Sequence, residues 1–213
     1  MVKKILQFVL AIAILALVCV IYVQISTPIN YEAEKKTRNA AVIDRIKDIR
    51  TAERAYKTKY MHFTDNFDSL INFVLNDSLV LERKIVDEDD SVAMAELKRL
   101  KKKNVEKFTI AVIDTIFAPK KLTVEDVKAL RYVPYTDNKA QYLLFAGELA
   151  TESKVVIPVV ECRVPYKVYL DTLKYRQEII NDIDNDVNNL NKYPGIKFGS
   201  MDGGNNEAGN WED

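Results

Sequence analysis

The residues nearest to a recognisable chemistry lie at the carboxyl-terminal end. Asp202-Gly203-Gly204-Asn205-Asn206-Glu207 sets carboxylate and amide oxygens beside glycines that permit tight turns. Hard cations such as calcium take several such oxygens from flexible loops, so Asp202, Asn205, Asn206 and Glu207 are candidate calcium ligands. The same composition also describes a frayed polar terminus. Trp211, the only tryptophan, adds a hint of order, because a lone Trp near a chain end often anchors it by packing. Both readings stay open at this level.

Other constellations are weaker. Asp182-x-Asp184-x-Asp186 begins like a calcium loop, but its sixth position is Val187, where the sharp turn needs glycine. These acids read as the solvated side of a helix. His62 is the sole histidine, and no local motif joins it to Cys162 or to a serine. One histidine and two cysteines cannot build a tetrahedral zinc site, and Cys19 and Cys162 are too far apart in context to form a disulfide scaffold. No catalytic residue, organic cofactor or small-molecule substrate is assigned, and the expectation is a protein that is not an enzyme.

The elements that would position the tail begin with an apolar segment. Residues 5–23 form a 19-residue run interrupted only by Gln7. At 1.5 Å per residue it extends about 28 Å, close to the hydrocarbon thickness of a bilayer. A cleaved signal peptide competes, but Val20-Ile21-Tyr22-Val23 offers no small-x-small site. Lipidation of Cys19 competes too, but Val18 is bulkier than the residue that normally precedes a lipidated cysteine. The expectation is an uncleaved single-pass anchor contacting membrane lipid through residues 5–23. Lys3 and Lys4 lie closest to the run, whereas Lys35, Lys36 and Arg38 are accompanied by Glu32 and Glu34. That asymmetry favours the amino terminus in the cytoplasm and the bulk outside it. A single cysteine, Cys162, in the exported part fits that compartment.

Beyond Pro28, Val42, Ile46, Ile49, Ala52, Tyr56 and Tyr60 make one apolar stripe. Asp44, Arg45, Lys47, Asp48, Arg50, Arg54 and Lys57 fall opposite, and Glu32–Lys36, Glu34–Arg38 and Glu53–Lys57 are i,i+4 pairs. The pattern predicts a helical rod over 30–60, then a short helix over 67–75 with Phe67, Leu70, Ile71 and Val74 on one face. A strand is expected over 80–86. Acidic Asp87-Glu88-Asp89-Asp90 and basic Lys98 to Lys103 bracket a helix over 91–103, matching its macrodipole. Strands are expected over 107–117, 141–149 and 154–164, with Cys162 on a buried face and Pro158 marking an edge or a bulge. Thr123 and Asp126 resemble a capping box. A last helix over 173–190 would turn Ile179, Ile180, Ile183, Val187 and Leu190 to the core and stop at Pro194-Gly195.

Composition narrows the function. The 213 residues suit one domain plus an anchor. With 31 basic and 31 acidic side chains the net charge is zero, which gives no electrostatic case for nucleic acid or for a polybasic membrane surface. The expected class is α+β: an amino-terminal transmembrane helix continuing into a long amphipathic helix, packed on a mostly antiparallel sheet, with a carboxyl-terminal helix. The divisions are an anchor over 1–28, an envelope-exposed domain over 29–200 and a Gly/Asn-rich tail over 201–213.

These residues together resemble type IV pilins and the major pseudopilin of type II secretion. An apolar helix reaches Pro28 and continues as a polar-sided rod. The stretch from Ala52-Glu53-Arg54-Ala55-Tyr56 through Tyr60-Met61-His62-Phe63-Thr64, then Phe67 to Leu70, is similar to the end of a pilin spine. Ser200-Met201-Asp202-Gly203-Gly204 and Gly209-Asn210-Trp211 resemble the glycine-rich, calcium-binding pseudopilin terminus. The resemblance implies calcium on Asp202 first, and on Asn205, Asn206 and Glu207 after it. It does not extend to the processing site, because Lys3-Lys4-Ile5-Leu6-Gln7 has neither the prepilin glycine nor the glutamate. The expected function is a membrane-anchored structural subunit of an envelope secretion or surface assembly, partnered by itself or by envelope proteins. The alternative is a membrane-tethered adaptor of an envelope complex without pilin ancestry.

Overall fold

The structure is a computed structural model that describes residues 2–87, 89–100 and 103–212. Glu88 of the acidic run, and Lys101 and Lys102 of the basic run, lie outside the described residues. Helix α1 is Val2–Tyr60, 59 residues long, which at 1.5 Å per residue makes it about 90 Å from end to end. Pro28 sits inside α1 without ending it. A single proline removes one backbone N–H, and the hydrogen bonds of the turns on either side carry the helix through it. Anchor and rod are therefore one continuous element.

Its two halves differ in what surrounds them. Side chains from Ile5 to Ile29 are exposed, apart from partly covered Ser26 and Thr27, whereas Val42, Ile46, Ile49 and Ala52 are completely buried. Among the described residues, α1 is the one helix long and apolar enough to cross a membrane. Tyr56 is half-buried and Tyr60 exposed, so the stripe leaves the core near its end.

Helix α2 (Phe67–Asn76) is capped by Asn66, whose side chain accepts from the Asp68 N–H at 2.7 Å, and it buries Phe67, Leu70, Ile71, Phe73 and Val74. Strand β1 (Ser78–Arg83) and strand β2 (Glu106–Ala111) form a two-stranded antiparallel sheet, Ser78 opposite Ala111 and Arg83 opposite Glu106. Helix α3 (Ser91–Arg99) joins them, its first N–H groups held by the Asp90 carboxylate. The strand expected over 107–117 stops at Ala111, and Val112–Ile116 is helix α4. Its β-branched residues suggest a strand, but one helical turn brings both Val112 and Phe117 into the core, and the core decides. Helix α5 (Val124–Lys128) carries the Thr123–Asp126 capping box and runs into a 3₁₀ turn, Ala129–Arg131.

The second sheet has strands β3 (Leu143–Ala150), β4 (Val156–Pro165) and β5 (Gly195–Gly199) in the order β3-β4-β5, all antiparallel. Pro158 faces Glu148 of β3, but β5 begins its pairing only at Glu161. The outer side of β4 is thus free of a strand at Pro158, where a missing N–H costs no ladder bond. Strand β5 lies just beyond the Pro194-Gly195 stop, where the sequence pattern predicted no strand. Gly199 has φ of +74°, and a Cβ there would lie 1.9 Å from the Val160 carbonyl oxygen, so glycine is required for the strand to lie this close.

Helix α6 (Tyr166–Tyr169) and helix α7 (Arg176–Asp184) follow β4, and α7 continues as a π-helical stretch, Asn185–Asn189. This is shorter than the helix expected over 173–190. Of the five residues expected in the core, Ile179 is buried and Ile183 partly so, while Ile180, Val187 and Leu190 are exposed. The helix lies on the surface of the domain and touches it along a narrow line.

Candidate functional site

Three features of α1 follow one another along its length: a bare apolar half, a junction where the folded domain begins, and a far end clasped by the carboxyl-terminal tail. The boundary of the first is sharp. Ile29 is 64% exposed and Tyr31 only 3%. A contiguous apolar surface of this size is stable in lipid or against other helices, and unstable in water.

At the junction, Tyr31 donates its hydroxyl to Asp182 and Lys35 pairs with the same carboxylate at 2.7 Å. The Tyr31 ring packs on Tyr175 with centroids 5.4 Å apart. Arg38 donates to the Tyr169 carbonyl at 2.5 Å and pairs with Glu34 at 2.7 Å. Burial, reinforced by Asp182, pushes the Tyr31 hydroxyl far above the ordinary phenol range, so it stays a donor at any physiological pH. Asp182, expected on the solvated side of a helix, is instead the carboxylate that fastens α7 to α1. Its supposed companion Asp184 accepts from Asn188 at 2.6 Å.

The tail is ordered against the other end of α1. Arg54 meets the Glu207 carboxylate at 3.1 Å and Lys57 meets it at 3.6 Å. Arg50 pairs with Glu212 at 2.8 Å, donates to the Glu207 carbonyl at 3.2 Å, and lies 5.6 Å from the centre of the Trp211 ring. Asn210 accepts from the Lys197 N–H and donates to the Gly195 carbonyl, and Gly209 bridges to Phe198, so the tail covers the outer edge of β5. The Gly209 N–H, and then Arg50, hold the Glu212 carboxyl below the usual carboxylate range.

This geometry bears on the four calcium candidates. Asn205, Asn206 and Glu207 line one cleft of about 260 Å³, together with Lys57, and Asp202 does not. Among the described residues no group of three or more His, Cys, Asp or Glu side chains is placed to hold a metal. A lysine ammonium and an arginine already neutralise Glu207, so a divalent cation would enter against two positive charges. As arranged, the donor set does not fit calcium.

Two acids of the rod were misplaced by the helical pattern. Asp48 is buried and meets Lys120 at 2.7 Å; burial raises its carboxyl despite that ammonium. Glu53 is fully buried, so it does not pair with Lys57 at the surface. Its Oε2 accepts from the Thr64 N–H at 3.2 Å, and Oε1 has no partner. Spacing could have found it, since Glu53 stands four residues after Ile49 and seven after Ile46, on the apolar stripe itself. Glu161 of β4 is likewise buried, paired with Arg163 at 3.0 Å. Cys162 is buried as expected, and burial raises its thiol well above the ordinary value. His62 stacks edge-on against Tyr56 with centroids 5.6 Å apart, and its Nδ1 lies 2.9 Å from the Phe63 carbonyl. No family model, curated protein or solved structure matches the chain.

Proposed function

We propose that the protein is a single-pass membrane-anchored structural subunit, pilin-like or pseudopilin-like, of an envelope secretion or surface assembly. One observation carries this reading: a single 59-residue helix leaves its amino-terminal half bare and apolar while its other half is the spine of an α+β domain. A helix built only to tether a domain has no need to run unbroken into that domain's core. A continuous spine transmits the position of the membrane segment rigidly to the domain, which is what a packed assembly needs. The tail clasped to Arg50, Arg54 and Lys57 supports the same reading, because its ion pairs fix the domain's far end to the spine.

The bulk of the chain lies outside the cytoplasm in this account. Membranes washed in alkaline carbonate should retain the protein, and protease added to spheroplasts should digest residues beyond Lys35. Release by the wash, or protection of those residues, overturns the proposal. The hairpin of β1 and β2 favours the second reading, a tethered adaptor. Together with α3 it exposes Val80, Ile85, Val92 and Leu100, a set of apolar side chains away from the spine that a protein partner would cover. Deleting that hairpin should leave self-association intact if the first reading holds, and abolish partner capture if the second does.

A further inference from the structure

We propose that the segment from α6 through α7 is a collar that docks on the phospholipid headgroups of the same bilayer that α1 crosses, with Leu173 inserted between them; this rests on the anchored reading above. The argument begins with position. Arg38 of α1 touches Tyr169, Glu34 touches Lys174 at 3.6 Å, and Tyr31 packs on Tyr175. From Tyr169 to Tyr175 the chain therefore descends along α1 toward the apolar half, over about 10 Å at 1.5 Å per residue. Leu173 lies within that descent. Exposed Ile25 and Ile29 carry the apolar surface of α1 beyond residue 23 to within a turn of Tyr31, so the collar is the part of the domain that faces the membrane and lies nearest its headgroup layer.

Its chemistry matches that level. Leu173 is 97% exposed, more than any other large apolar side chain that the structure leaves uncovered, and Ile180 is exposed beside it. An open cleft of about 490 Å³ is lined by Lys167, Thr172, Leu173, Arg176, Ile179 and Ile180. Among the described residues, Lys167 and Arg176 form no ion pair with an acid. Of the acids nearby, Asp171 accepts from the Leu173 and Lys174 N–H groups and Asp182 holds Tyr31 and Lys35, while Glu178 in the first turn of α7 forms no ion pair among the described residues. Two cations, a hydroxyl and apolar walls in one cleft suit a lipid phosphate with its glycerol and first methylenes. The charge is local, which agrees with a chain of zero net charge.

The test uses the full chain reconstituted in vesicles of equal parts phosphatidylcholine and phosphatidylglycerol. In a Cys19→Ser background, with buried Cys162 unreactive, Leu173→Cys and Met61→Cys are each labelled with a small fluorophore. Met61 is exposed and lies 27 residues beyond Glu34, about 40 Å along the chain at helical rise. Nitroxide lipids labelled near the headgroup should quench the probe at 173 by at least about twofold more than the probe at 61. Lys167→Glu with Arg176→Glu should reduce that difference, while circular dichroism confirms the fold. Equal quenching at both positions, with the protein retained through a carbonate wash, overturns the collar and leaves the anchor standing. Release by the wash removes the anchor reading and the collar with it. Protection of the 173 probe that rises with protein-to-lipid ratio, without nitroxide quenching, overturns it in favour of a second copy of the chain.

Discussion

Glu53→Gln offers the sharpest test of how the spine sits in its core. Position 53 lies 30 residues beyond the apolar run, inside the folded domain. Burial is the main force on its carboxyl; the Thr64 N–H opposes it and the Asp65 charge adds to it, and together they raise the pKa from 4.5 to about 8. The folded state therefore holds the proton more tightly than the unfolded one. Stability is greatest below the unfolded value and falls as pH rises through the window up to the folded value. At about 1.4 kcal/mol per unit the full loss is about 5 kcal/mol, of which about 4 kcal/mol falls between pH ~5 and ~9. Glutamine keeps an oxygen for Thr64 and carries no charge at any pH. Melting curves of wild type and Glu53→Gln, followed by circular dichroism in detergent, should nearly coincide near the acid end of that window. At its alkaline end glutamine should melt higher by about 10 °C, since one kcal/mol moves a domain of this size by a few degrees. Cys162, whose thiol is raised by the same burial, ionises only in the unfolded state near the alkaline end; that slope is common to wild type and variant and cancels in their difference. Curves that run parallel with pH would refute the burial of an ionisable group on this face.

Further tests follow from the same packing. Ile49→Asp puts an unpaired charge at a fully buried site and should cost about 3 to 5 kcal/mol, whereas exposed Lys47→Ala should cost less than about 0.5 kcal/mol; equal effects mean that the stripe is not core. Glu207→Gln removes the partner of both Arg54 and Lys57 and should speed proteolysis of the tail without unfolding the domain. Millimolar calcium should leave the wild-type melting temperature unmoved; a rise that Asp202→Ala abolishes would restore the calcium loop.

The parts of this fold visible in the sequence are those fixed by short-range pattern. The stripe on α1 as far as Ala52, the face of α2 and the Thr123 cap repeat at helical spacing or carry their own hydrogen-bond partners, and these formed as expected. What stayed hidden depended on distant neighbours. Val112–Ile116 reads as strand by composition, and only the core it faces makes it a helix. Strand β5 is five residues that begin and end with glycine, too short to declare itself before β4 is there to pair with. In the tail, the oxygens of residues 202–207 were legible, but the cations that meet them come from Arg50, Arg54 and Lys57, about 150 residues earlier in the chain. Asp182 gained its role in the same way, from Tyr31 and Lys35.

In the proposed assembly, the bare half of α1 packs against other helices in the membrane. Single cysteines placed in turn at Ala11, Ile12, Ala13, Ile14, Leu15, Ala16, Leu17 and Val18, with Cys19 replaced by serine and buried Cys162 left in place, can be oxidised in native membranes and the cross-linked products resolved by size. Strong cross-linking is expected at positions three or four residues apart and little between them, the mark of one helical face meeting a partner. Uniformly absent cross-links, with the protein still held in the membrane, would contradict it and leave a tether that carries its domain alone.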